Sequence, residues 1–184
     1  MKTTFRIVCL VLSAGWGAVA LTAEPVSRRE VFDAIAVLEK DVTGDAAPEA
    51  AAKVARFGEE SPAVLIVIGE ETMPWLTDSA PPAETAARAM LTAAYFAGNI
   101  KAQLEKRRSQ DDPYAGWLFL IKAYRQIQKK QAQFVIPEVE AIAEQEKAGL
   151  LRQRADDIRR RDEERERRAT VAGTIVDRGV PDFV

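Results

Sequence analysis

Three adjacent carboxylate pairs, Glu59-Glu60, Glu70-Glu71 and Asp111-Asp112, come nearest in this chain to residues that could do chemistry. Two carboxylates can divide acid and base work in glycoside hydrolysis when they face each other about 5 to 10 Å apart across a sugar. Neighbours on a helix instead project about 100° apart, and acids also favour helix N-termini for electrostatic reasons. Asp111 and Asp112 therefore read as capping residues and Glu59-Glu60 as a solvated helix end, so no catalytic residue is assigned and a carboxylate-based hydrolase is the least favoured reading. Histidine is absent from the 184 residues, which removes the commonest general base and metal ligand. The single cysteine, Cys9, lies in an N-terminal apolar run, so the mature chain is expected to hold no thiolate nucleophile, disulfide, metal site or cofactor.

That apolar run, Ile7 to Leu21, follows Lys2 and Arg6 and precedes small residues suited to cleavage after Ala20 or Ala23. The pattern predicts a signal peptide over residues 1–23. Fifteen residues interrupted by Gly15 and Gly17 fall short of the roughly 20 apolar residues that span a bilayer. The expectation is an exported protein, periplasmic or secreted. Without Lys2 and Arg6 the chain carries 24 basic and 28 acidic residues, a balance that offers no attraction for nucleic acid.

The elements that must position any site all read as helices, and the 47 % hydrophobic content suits one domain. Ser27-Arg28-Arg29-Glu30 is a capping box, and Val31, Ile35, Leu38 and Val42 follow on one helical face until Gly44. Pro48 opens a second helix reaching about Glu60. Ser61-Pro62 looks like another helix start, and the β-branched run Val64 to Ile68 lacks a partner strand, so residues 62–72 are read as a short buried helix with strand as the alternative. Pro74 ends it, and Trp75-Leu76 fold back as an apolar clasp. A long helix is predicted over 83–108, with Ala86, Ala89, Ala93, Ala97 and Gly98 small enough for close helix approach. Asp112 and Pro113 then cap a helix carrying Trp117, Leu120, Ile121, Tyr124 and Ile127.

Trp117-x-x-Leu120-x-x-x-Tyr124 resembles the first helix of a tetratricopeptide repeat, and the pair of segments from Pro48 to Thr72 is similar in length to a HEAT-type pair. The resemblance implies stacked helix pairs whose concave face holds a peptide or protein. The fold expected from the whole chain is all-α, an array or bundle of five to six helices, with a helical core over 24–136.

Residues 137–168 are predicted to form one long charged helix. Asp156 and Arg160, Asp157 and Arg161, Glu163 and Arg167, and Glu164 and Arg168 are spaced as i,i+4 pairs. Between Lys147 and Arg168 nine basic residues face six acidic ones, a solvated helix or an arm for an anionic surface. Residues 169–184 read as a flexible tail, whose apolar end Asp182-Phe183-Val184 could be captured by strand addition.

Together these features point to a noncatalytic binding or scaffold protein of the cell envelope. Its expected partner is another envelope protein or peptide. The contact residues expected are Trp75, Tyr95, Tyr114 and Trp117, with Tyr114 the most exposed, and Arg159, Arg160 and Arg161 on the arm. Self-association through the Val139 to Leu151 stripe, giving a homodimer, is the alternative.

Overall fold

The computed structural model describes residues 24–77, 81 and 84–176, with side chains described as far as 165 and at 167–168. The signal peptide assigned to 1–23 and the carboxy-terminal residues 177–184 lie outside the described residues. Six helices are present: α1 Arg28–Lys40, α2 Ala47–Glu60, α3 Thr85–Lys106, α4 Pro113–Lys130, α5 Pro137–Lys147 and α6 Leu151–Val176. No strand occurs among the described residues.

Two starts form as the capping residues dictate. At α1 the Glu30 amide donates to Ser27 Oγ at 3.2 Å and the Ser27 amide donates to Glu30 Oε2 at 2.8 Å. At α4 the Ala115 amide donates to Asp112 Oδ1 at 3.0 Å, with Pro113 in the first turn. Val31, Ile35, Leu38 and Val42 are all buried, as their spacing requires.

Helices α3 and α4 form the central pair. Their approach depends on two glycines: a Cβ on Gly98 would stand 2.4 Å from the Ala115 carbonyl oxygen, and one on Gly116 would stand 2.6 Å from the Tyr95 ring. Removing the side chain at each position lets the two backbones close on the aromatic core. Trp75 and Tyr95 meet there edge to face, with ring centroids 5.6 Å apart. Helices α1 and α2 pack against each other and against α3, while α5 and α6 pack on α4.

The segment expected as a helix over 62–72 is irregular, with turns at 62–63 and 70–72. Its backbone is satisfied by side chains rather than by a neighbouring strand. Gln103 acts as a surrogate strand: its Oε1 accepts from the Leu65 amide at 2.9 Å, and its Nε2 donates to the Leu65 carbonyl at 2.7 Å. Further along, the Val67 amide donates to Asp111 Oδ1 at 3.2 Å, and Trp117 Nε1 donates to the Thr72 carbonyl at 2.8 Å. A buried backbone needs partners of either kind, so the missing strand did not compel a helix.

The long charged helix expected over 137–168 is two helices. Between α5 and α6, Gly149 adopts φ 71°, the left-handed conformation that glycine takes without a Cβ clash. The Leu150 amide donates to the Gln145 carbonyl and the Gly149 amide to the Glu146 carbonyl, both at 2.9 Å, the paired bonds of a Schellman stop. Helix α6 then continues to Val176 rather than ending at 168, so residues 169–176, expected as tail, are helical.

Candidate binding groove between α2 and α3

Sequence reasoning placed the contact surface on four aromatic residues, and three of them are core. Trp75, Tyr95 and Trp117 are each 0 % exposed, which leaves them no surface to offer a partner. Their burial follows from the glycine-mediated closeness of α3 and α4 and from the 61–76 segment lying across them. Burial also raises the Tyr95 phenol far above its ordinary pKa, and its hydroxyl has no hydrogen-bond partner among the described residues. Tyr114 is half-buried rather than free: the Arg152 guanidinium lies 4.1 Å above its ring.

The arginines expected on the arm are occupied nearer home. Arg159 pairs with Asp156 at 2.5 Å and Arg160 with Asp157 at 2.7 Å, i,i+3 contacts in place of the i,i+4 pairs expected. Arg161 reaches off the helix to Glu71 at 2.7 Å and is therefore unavailable to Asp157. Arg154, which the sequence did not single out, donates to the Glu71 carbonyl at 2.7 Å while lying 4.8 Å above the Trp117 ring. Leu151, Ala155 and Ile158 are buried beneath this polar strapping. The apolar stripe considered for dimerisation is used in the same way: Val139, Ile142, Ala143 and Leu151 are buried within the chain itself.

Among the carboxylate pairs, Asp111 has a distinct environment. Asn99 Nδ2 donates to its Oδ1 at 2.7 Å, and the Val67 amide donates to the same oxygen. Burial pushes its pKa up to about 6, with the neighbouring charges of Asp112 and Asp162 adding to the rise. Asp112 is engaged by its capping bond and by Lys106 at 2.5 Å. Glu60 pairs with Arg56 and Glu71 with Arg161. These contacts give the pairs structural work. Among the described residues no group of His, Cys, Asp and Glu is arranged to hold a metal ion.

One open feature among the described residues is a groove of about 630 Å³ along α2 and α3. Ala51, Ala52 and Ala55 form one wall, and Ala86, Ala89 and Ala93 the other, with Phe96 at one end. No charged residue lines it. Its one polar lining residue is Thr92, whose hydroxyl is already committed: it donates to the Arg88 carbonyl at 2.9 Å and accepts from Trp75 Nε1 at 3.1 Å. Leu76 stands at the groove, 48 % exposed. The alanine spacing was visible in the sequence, but it was read as a surface for close helix packing. In the fold Ala97 and Gly98 are buried that way, whereas Ala86 and Ala89 remain exposed.

Neither a family model, a curated protein nor a solved structure matches this chain. Among the described residues no helix is long and apolar enough to cross a membrane.

Proposed function

We propose that this chain is an exported, noncatalytic helical protein that serves the cell envelope as a binding or scaffold module. Its α2–α3 groove takes an uncharged, apolar segment of another envelope protein or peptide. The carrying observation is the composition of the groove: six alanines in its walls, no charge, and a single hydroxyl already hydrogen-bonded. Such a surface rejects polar ligands, because a buried polar group would find no partner there, and rewards apolar contact in proportion to the area covered. The size lies within the range of sites that enclose a compact ligand or a few side chains. Helix α6 is secured at its first turns and extends onward as a solvated arm.

The test is copurification of the processed protein with its envelope partners, comparing the native chain with Ala89→Glu and Arg160→Glu. Ala89 is exposed, so a carboxylate there is compatible with folding, while it places a charge in the groove wall. The expected result is a partner lost with Ala89→Glu and kept with Arg160→Glu. Retention by Ala89→Glu and loss with Arg160→Glu would move the contact to the arm and end the groove reading.

A further inference from the structure

The side chains that hold the 61–76 segment satisfy it along one edge only. Between 64 and 68 the chain makes no turn or bend. Leu65 is held through both backbone groups by Gln103. Val67 is held in the same manner, its amide donating to Asp111 and its carbonyl accepting from Thr72 Oγ1 at 3.0 Å. Ile66 and Ile68 make no hydrogen bond to any described residue, through amide or carbonyl. Backbone groups engaged at every second residue are the pattern of a strand paired on one side. The edge toward Gln103 and Asp111 is filled, and the opposite edge, carried by Ile66 and Ile68, is unpaired.

That free edge is anchored and unblunted. A Cβ on Gly58 would stand 3.0 Å from Ile66 Cδ1 and 3.3 Å from the Phe96 ring, so the missing side chain lets Ile66 seat against the core. Neither proline nor charge interrupts Val64 to Ile68, although these are the usual devices that keep an exposed edge from pairing. Leu65 and Ile68, 51 % and 65 % exposed, fall on opposite faces of a strand, so a strand laid alongside meets an apolar neighbour on each face. Charge selects among such strands. Arg56 and Arg161 neutralise Glu60 and Glu71, whereas Glu59 before the run and Glu70 after it are exposed and have no ion pair among the described residues. Two copies joined through this edge would set acidic ends against each other in either orientation, while a strand ending in lysine or arginine would meet opposite charge at both ends.

We propose that residues 64–68 are a docking edge for an extended, apolar segment of a partner protein flanked by basic residues, bound by strand addition. None of these five residues lines the α2–α3 groove, so neither reading depends on the other.

The probe is a synthetic peptide, acetyl-Lys-Lys-Val-Thr-Val-Thr-Val-Lys-Lys-amide, whose centre favours extended backbone, added to the full chain and followed by residue-resolved hydrogen exchange. The amides of Ile66 and Ile68 should slow by about ten-fold or more at saturation, while those of Leu65 and Val67 are already slow without peptide. The double variant Glu59→Lys, Glu70→Lys, changed only at exposed positions and checked by circular dichroism, should bind this peptide about ten-fold more weakly and should prefer the counterpart with glutamate in place of lysine. No binding at millimolar peptide, or binding that leaves Ile66 and Ile68 unprotected, would overturn the docking edge. Equal affinity of the double variant for both peptides would overturn the basic-flanked partner. So would protection that grows with protein concentration alone, which would give the edge to a second copy. The α2–α3 groove reading would survive each of these failures, because its test alters Ala89.

Discussion

Asp111 holds two donors on one oxygen, those of Asn99 and Val67. Both donors favour the anion, but the cost of burying its charge outweighs them and tips the balance toward the neutral acid. The raised value, about 6 against an ordinary 3.8, means that the folded chain binds this proton more tightly than the unfolded chain does. Stability should therefore rise as pH falls from 7.5 to 5, by roughly 1.4 kcal/mol from this group. The absence of histidine leaves no other side chain whose ordinary pKa lies inside that window. Urea melts at the two pH values should show the gain in the native chain and its loss in Asp111→Asn. Gln103 makes the complementary case, as both amide groups pair with the backbone of Leu65. Gln103→Ala should cost about 2 to 3 kcal/mol by leaving buried backbone groups unpaired, measurable in the same melts. Neither role was legible beforehand. A buried amide pairing with an extended segment 38 residues away leaves no local pattern, whereas the Ser27 and Asp112 caps act within three residues and were readable.

At the level of elements, helix termini show both what spacing reveals and what it hides. Gly149 carried a stop signal in the sequence, but the charged residues around it are strong helix formers, and the continuity of charge was read as continuity of helix. Arg107 carried no such signal. It ends α3 at φ 52° with a non-glycine side chain, and the Arg108 amide donates to the Gln103 carbonyl at 3.0 Å. A left-handed residue with a Cβ is strained by roughly 1 to 2 kcal/mol. Arg107→Gly should relieve most of that and raise the thermal midpoint, an outcome opposite to that of most glycine substitutions, and differential scanning calorimetry would detect it. The 61–76 segment failed as an expected helix for a different reason. Its β-branched run does favour extended backbone, and the partners that permit it come from α3, α4 and the turn between them.

For the molecule as a whole, the all-α architecture followed from amphipathic periodicity, while the surface did not. Periodicity identifies a buried face but cannot say which small-residue stripe will meet a neighbouring helix and which will remain open, and so the alanines of α2 and α3 were separable only in three dimensions. The same limit applies to α6, where three buried side chains near its start anchor a helix whose side chains beyond Asp162 are exposed where described. A chain ending at Asp162 should keep native stability within about 0.5 kcal/mol. One ending at Ala148 should lose about 4 kcal/mol or more with the burial of Leu151, Ala155 and Ile158. The central claim, that the α2–α3 groove is the contact surface, is tested most directly by a photoreactive residue installed at Ala52 of the full chain in living cells, with Lys122 as the reference position. A discrete crosslinked partner from position 52, absent from position 122 and lost on adding Ala89→Glu, is the predicted result. Identical products from both positions, or a crosslink from 52 that persists with Ala89→Glu, would contradict it.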